Sequence, residues 1–428
     1  MTITLPDYPD LLANVGAALR QRNDFAQAEA CLNRALSLNL ARAESWNNRG
    51  QIHEDLGEFT EAYTAYQNAY SLKPEHPQIA LALAYQRMRS GEWSNDPWLP
   101  AGAPPETAPF PGTWDLWEQG RDNYGTLPGV PIWQGEDLTG LRLLIAAEGG
   151  FGDYLWLSRY LPELDAMAAI TYVAVPDSLV RLAERRFPMR HPRIVPLSEL
   201  ANYNTFFDYQ IPLLSLLTRF LRDSRDIPSA SLRRIDGSRG AQGLCGPRNV
   251  RNGPEGTLGA PPPLETQNRA GSALNSGILR VGLTPCAQEN GVQRPHRSIP
   301  ALALLPLRDV PGIEWISLVP DRYTDWVRPI TSIKAPNGET WDWEDTAQVV
   351  EQLDIVVSVD TAICHLSGSL GIPTITLLPL RTDWKWGLQD RSVWYPEMKL
   401  IRQRHPTDWA GVVQEVCRQL TAQAVLIG

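Results

Sequence analysis

The sequence is short of cysteine, of net positive charge and of long apolar runs, and each shortage excludes a class of protein. Its five cysteines, Cys31, Cys245, Cys286, Cys364 and Cys417, are odd in number, widely scattered and never arranged as CxxC. Neither a disulfide framework nor a zinc site is expected, and a reducing cytoplasmic setting is. Lys and Arg number 39 against 48 Asp and Glu, and the formal net charge of -9 argues against a nucleic-acid partner. No apolar run approaches the length that spans a bilayer. The first residues carry Asp7 and Asp10 and lack a basic stretch ahead of an apolar core, so no secretory signal is expected.

What is present begins with a repeat. Trp46, Gly50, His53, Leu56, Gly57, Phe59, Ala62, Tyr66, Ala69 and Pro74 each lie 34 residues after Leu12, Gly16, Leu19, Arg22, Asn23, Phe25, Ala28, Leu32, Ala35 and Leu40. This period and this order of large and small residues are those of a tetratricopeptide repeat, a helix–turn–helix unit. Gly16 and Gly50 fall where the first helix of a unit approaches the second, and Pro74 ends the second unit because it cannot continue a helix. A third first-helix is predicted from about Ile79 to Arg89, with Gly91 and Trp93 at the turn and no partner helix after it. Two and a half units bury little surface alone, so the last helix is expected to pack on the following domain. Units of this kind bind a peptide or protein.

The rest of the 428-residue chain reads as strand–helix alternation, and the full length is in line with a soft prior of about three domains. Residues 94–139 are rich in Pro, Gly and Trp and read as a connector that hugs a surface. Short apolar runs at Leu141–Ala147, Ile170–Val175 and Arg193–Leu197 read as buried strands, with helices at Tyr154–Leu164 and Ser178–Phe187 between them. A second set of strands is predicted at Ile278–Leu283, Ile313–Val319, Asp354–Val359 and Pro373–Leu378. Helices are predicted at Ala301–Leu307, Thr346–Leu353, Thr361–Leu370 and Trp409–Leu420. Such alternation indicates parallel sheets. Residues 237–277, with Pro261-Pro262-Pro263, are aperiodic and read as a flexible linker or insertion. The expected architecture is α + α/β: repeats over 1–93, a connector over 94–139, one Rossmann-like domain over 140–236, the linker, and a second Rossmann-like domain over 278–428. The tryptophans gathered in 93–133 and 315–394 are expected in core and interface packing.

Three segments could carry chemistry. In Ser358-Val359-Asp360-Thr361-Ala362-Ile363-Cys364-His365 a strand ends as a helix begins. The free N–H groups and dipole of that helix start favour an anion such as a diphosphate, in the crevice outside the carboxyl ends of the strands. Asp360 can accept from sugar or ribose hydroxyls, or serve as a plain helix cap. His365, one turn inside, is either a packed, hydrogen-bonded histidine or a ligand contact. In Gly149-Gly150-Phe151-Gly152-Asp153 the glycines allow close backbone approach, and Asp153 is placed either to cap the helix or to take a proton from an attacking hydroxyl. Arg294-Pro295-His296-Arg297-Ser298 offers arginines and a serine to a diphosphate. No Asp-x-Asp pair occurs, so the usual metal clamp of one major class of nucleotide-sugar enzymes is missing.

Together these segments resemble the bacterial heptosyltransferase-like glycosyltransferases of family 9, and more closely the group that fuses tetratricopeptide repeats to such a domain. The resemblance runs from about Pro131 to the C-terminus, apart from the linker. It is carried by Pro131-x-Trp133-x-Gly135-Glu136, Gly152-Asp153, Arg297-Ser298, Ser358-Val359-Asp360-Thr361-Ala362, His365-Leu366, Asp383-Trp384, Trp394-Tyr395-Pro396 and Arg402-Gln403. It implies a GT-B fold, a nucleoside-diphosphate sugar as donor substrate, inversion at the sugar carbon, and no metal or other cofactor. It implies Asp153 as general base, with Gly150, Gly152, Arg297, Ser298, Asp360, Thr361, Ala362 and His365 lining the nucleotide-sugar pocket. The sequence departs from the group at Thr284-Pro285-Cys286-Ala287, where a Trp, a small residue, Gly and Asn are usual. The alternative is a non-catalytic interaction scaffold built on the repeats, with a degenerate transferase half.

Overall fold

The computed structural model describes residues 8–93, 111–121, 126–167, 169–189, 193–203, 206–229, 232, 278–289, 292–293, 295–319, 327–328, 330 and 342–427. The linker assigned to 237–277 and Arg294 lie outside them. Five antiparallel helices open the fold: α1 (Pro9–Gln21), α2 (Phe25–Leu38), α3 (Ala43–Leu56), α4 (Phe59–Leu72) and α5 (Pro77–Arg89). Their ends follow local chemistry. Prolines start α1 and α5, where a missing N–H costs nothing. The Asp24 carboxylate caps α2, and Gly57, with φ of 75°, ends α3 in the left-handed region. A Cβ on Gly50 would stand 2.7 Å from the Tyr66 ring, so the small residue is what lets α3 and α4 close on each other.

The third unit is not half a unit. Helix α6 (Thr113–Gln119), drawn from the connector, packs on α5 in place of the missing second helix, with Gly120 tight against Leu81. It packs there because its tryptophans are buried on both sides. Trp117 meets Tyr85 edge-on at 5.6 Å, and Trp114 Nε1 donates to the Leu221 carbonyl at 2.8 Å. The connector then runs as a strap along the first sheet. The Trp133 N–H donates to the Gln210 carbonyl, and the buried Gln210 amide holds the carbonyls of Leu127 and Val130.

The first lobe contains β1 (Arg142–Ala146), α7 (Phe151–Leu157), α8 (Leu161–Ala166), β2 (Ile170–Val175), α9 (Val180–Arg186), β3 (Arg193–Pro196), β4 (Tyr209–Pro212) and α10 (Leu216–Phe220). Its strands are parallel in the order β3-β2-β1-β4. The second lobe contains β5 (Leu279–Thr284), a 3-10 stretch (Ala301–Asp309), β6 (Ile313–Ser317), α11 (Trp343–Val350), β7 (Ile355–Val359), α12 (Ala362–Ser369), β8 (Thr374–Leu378), β9 (Met398–Arg402) and α13 (Trp409–Ile427). Its five strands are parallel in the order β9-β8-β7-β5-β6. Helical repeats followed by two Rossmann-like lobes are the expected α + α/β architecture. Two expected helices are broken: the run from Tyr154 becomes α7, a 3-10 turn and α8, and Ala301–Asp309 is 3-10 around Pro306. Among the described residues no helix is long and apolar enough to cross a membrane.

The lobes are joined by a dry, charged and aromatic seam. Arg186 on α9, fully buried, meets Glu344 of α11 at 2.5 and 3.0 Å and Glu351 at 2.9 and 3.2 Å. Burial opposes its charge, yet the two carboxylates hold the guanidinium above its ordinary range. Helix α7 packs on α12, where Trp156, Trp384, Trp386 and Trp394 fill the junction. One apolar core therefore runs from α3–α5 through α6 into the first lobe and the near face of the second, and a separate core fills the far side of the second lobe.

Candidate functional site

The site lies where the carboxyl end of β1 meets the carboxyl end of β7. After β1 the chain must turn sharply into α7, and Gly149 takes φ of 77° to do so. A side chain there would collide with the Asp153 carboxylate, since a Cβ would fall 2.4 Å from its Oδ2. Asp153, in the first turn of α7, accepts the Gly150 N–H at 2.8 Å and so fixes the loop. Asp153 thus caps the helix, and its side chain remains 21% exposed. Burial raises its pKa, which Lys385 and the Gly150 N–H partly offset while Asp383 and Asp360 add to the rise.

Across from it, Asp360 follows β7 and is almost buried. The Arg297 guanidinium reaches it at 3.2 Å. Lys385, on the short 3-10 turn Trp384–Trp386 after β8, stands between the two lobes. Its Nζ lies 3.9 Å from Asp153 Oδ1, 3.4 Å from Asp383 Oδ2 and 5.4 Å from the centre of the Trp156 ring. Burial alone would depress the ammonium, but Asp383, Asp153 and Asp360 more than reverse this and keep it protonated. Two cations and three carboxylates thus form one interlocked cluster at the edge of the seam, and Gly149, Gly150 and Phe151 on its rim face solvent.

Asp153, Arg297 and Asp360 therefore converge, with Ala362 beside them. The other expected residues do different work. The Ser298 hydroxyl is buried against the Ala287 backbone, accepting its N–H at 3.1 Å. Thr361 caps α12, accepting the Ile363 N–H at 3.3 Å and meeting the Ser358 hydroxyl at 3.1 Å. Gly150 supplies the N–H that Asp153 accepts. Gly152 lets two helices meet: a Cβ on it would lie 2.8 Å from His365 and 3.4 Å from Ala362, so it sets how closely α7 and α12 approach. His365 is only 2% exposed, sandwiched between Trp156 at 6.0 Å and Trp386 at 5.2 Å, with Nδ1 3.1 Å from the Tyr395 hydroxyl. Burial, then Lys385 and Arg159, push its pKa well below the usual range, so the ring is neutral. Of its two readings, the packed histidine describes it. Lys385 is the residue sequence reasoning passed over. Its only signal was a lysine flanked by two tryptophans just after Asp383.

The tetratricopeptide-repeat family profile matches residues 9–42 and again 43–76. Helices α1 to α4 are thus two tetratricopeptide repeats, as the 34-residue period predicts. The chain is similar to the protein named FlbA of Caulobacter vibrioides, with 24% identity over 450 residues covering 92% of this chain and 70% of that one. Among solved structures it is similar to a glycosyl transferase of family 9 from Veillonella parvula, at 12% identity and a TM-score of 0.42, covering 67% of this chain and 99% of that one. A second is the E. coli heptosyltransferase WaaC with ADP, at 17% identity and a TM-score of 0.37, covering 67% of this chain and all of that one (100%).

Proposed function

We propose that the chain is an inverting, metal-independent glycosyltransferase that moves a sugar from a nucleoside-diphosphate donor to an acceptor recruited by the repeats. The observation that carries this reading is the meeting of Asp153 with Arg297, Asp360 and Lys385 at the carboxyl ends of facing strands, where open α/β sheets bind ligands. Asp153 takes the proton of the acceptor hydroxyl, the oxygen forms a bond to the anomeric carbon, and the bond from that carbon to the diphosphate oxygen breaks. A carboxyl raised by burial suits this role, because a base is most effective with its pKa near the working pH. Charge on the departing diphosphate falls to Arg297, Lys385 and the start of α12.

A further support is Thr284, where the sequence departs from the family group. It ends β5 beside Ser358 of β7, and its buried hydroxyl has no hydrogen-bond partner among the described residues, leaving a donor for a phosphate oxygen. Metal independence is supported by the Lys385 ammonium and the Arg297 guanidinium, which already stand against the three carboxylates where a divalent cation would otherwise sit. The acceptor reading rests on the repeats alone.

Thermal-shift screening of the full chain against UDP, ADP, GDP and CDP and their sugars tests the donor. A shift with one of them is expected. Asp153→Asn should keep that binding and lose transfer by about 10²-fold or more; unchanged turnover removes Asp153 from the mechanism. The lobes pack directly against each other behind the cluster, which is the arrangement a scaffold would have. The absence of a shift with every nucleotide would favour that alternative.

A further inference from the structure

Loop 380–387, which carries Lys385, is held from outside its own lobe. A Cβ on Gly57, at the turn between α3 and α4, would lie 3.0 Å from the Leu380 side chain. Arg381 pairs with Asp55 at 3.0 Å and with Glu54 at 3.3 Å, both at the end of α3. Arg89, at the end of α5, donates to the Thr382 carbonyl at 2.9 Å and to Glu54 at 3.1 Å. Trp384 meets Trp117 of α6 edge-on at 5.8 Å. Only then comes Lys385, whose carbonyl accepts from Trp394 Nε1 at 2.7 Å. Four of the five positions before the lysine, 380, 381, 382 and 384, thus touch the helical array and its capping helix.

Glu54 is the centre of this anchorage. It is 5% exposed and also accepts the Tyr66 hydroxyl at 2.8 Å and the Gln86 amide at 2.6 Å. A buried carboxylate is tolerable only when its lone pairs are filled, and half of those filling it here come from residues that touch the loop. Arg20 adds a contact to Asp55 at 2.5 Å, tying α1 to the same point. The repeats therefore reach the reacting cluster through a short chain of contacts: Glu54 and Asp55 to Arg381, Arg89 to Thr382, and the loop to Lys385 and Asp153.

We propose that the repeat array is a structural part of the site: Glu54, Asp55 and Arg89 fix the loop that sets Lys385 against Asp153, so that Lys385 holds the base in addition to its charge toward the diphosphate, and Arg381 is the link through which the repeats hold it. The role of Asp153 as base rests on the proposed function; the support of the loop does not, and the two are tested by separate readouts. The charged groups facing Asp153 are Lys385, Asp383 and Asp360, and Lys385 is the cation among them. Moving it away leaves Asp153 facing two like charges, of which Asp360 keeps the Arg297 guanidinium at 3.2 Å.

The first readout is the rate at which acetic anhydride labels Lys385 in the full chain, followed by mass spectrometry, with Lys399 of β9 as internal control. Arg381→Gln, on a half-exposed side chain, is expected to raise labelling of Lys385 about tenfold while Lys399 stays unchanged. Should both lysines rise together, the variant has loosened the lobe, and Asp55→Asn, which removes the same contact from the repeat side, decides instead. Unchanged labelling of Lys385 in both variants overturns the proposal. The second readout is the pH profile of donor turnover. Lys385→Met should move its acidic limb upward by about one pH unit, since the carboxyl loses an opposite charge. Arg381→Gln should move it the same way by less, and the double variant no further than Lys385→Met. An unmoved limb in Lys385→Met with turnover intact refutes the positioning role. Wild-type chain that turns over no donor strikes the glycosyl-transfer reading and leaves the labelling result to decide the support of the loop.

Discussion

Replacing Arg186 by methionine tests what holds the two lobes together. The guanidinium is fully buried and makes four contacts to Glu344 and Glu351, and Glu344 is fully buried as well. Removing one partner of such a pair strands the other's charge in an interior that water does not reach, at a cost of about 3–5 kcal/mol. Part of the loss is recoverable, because Arg185, 3.8 Å from Glu344 and half exposed, can turn toward the vacancy. The lower end of the range is therefore expected. With a urea slope of about 3 kcal/mol/M this lowers the unfolding midpoint by about 1 M. Tryptophan fluorescence reports the event, since Trp156, Trp384, Trp386 and Trp394 line the same seam. Arg186→Met combined with Glu344→Leu should recover most of the loss, because two apolar groups need no counter-charge. A single variant that unfolds within about 0.3 M of the wild type would refute the reasoning, placing the strength of the seam in its aromatic packing.

Two further outcomes follow from the packing. His365 is held neutral in the folded chain, with a pKa well below its unfolded value, so the unfolded state binds the extra proton first. Stability is then complete above the unfolded pKa and falls by about 1.4 kcal/mol per pH unit below roughly 6.5, until the depressed folded value is reached. Urea midpoints measured from pH 7.5 to 5 should show this slope, and His365→Phe, which keeps a ring between Trp156 and Trp386, should flatten it; an equal slope would mean that other groups carry the acid sensitivity. Gly50→Ala places a methyl 2.7 Å from the Tyr66 ring. A loss of about 1–3 kcal/mol from the repeats is expected from overpacking, read as lower amide-exchange protection in α3 and α4, and no loss would mean that the helices shift apart freely.

The repeats were legible because a 34-residue period is a long-range signal that no single substitution erases. The sheets were legible wherever apolar runs marked buried strands, as at β1, β5 and β7. In the two parallel sheets, two strands escaped notice. In β4, Gln210 interrupts an already short run, and it does so because its amide laces the connector to the sheet. In β9, Lys399 and Arg402 break the pattern at the edge of the sheet, where Arg402 instead donates to the Trp386 carbonyl at 2.8 Å. Helix α6 was hidden because Pro- and Gly-rich flanks read as a loop, and its fit depends on α5, remote in the chain. Asp153 and Asp360 drew notice as carboxylates after strands, and Arg297 as an arginine ahead of a helix; that Arg297 meets Asp360 is seen only in the structure. Lys385 drew no notice, because its meaning comes from carboxylates on another lobe and from repeats more than three hundred positions away. Gly152 and His365 show what a motif leaves out: their packing against the facing helix, and the Trp386 and Tyr395 contacts of His365, come from remote parts of the chain.

The seat of α6 on α5 has a consequence for how such an array could change length. A tetratricopeptide solenoid usually lengthens by slotting another hairpin anywhere along its axis. Here the place after α5 is already occupied by a helix whose tryptophans also serve Leu221 and Trp384 in the lobes. A unit inserted there would evict the element that welds the array to the rest of the molecule. Insertion on the α1 side of α3 leaves that weld in place, so the array could lengthen at its far end while its root stays fixed.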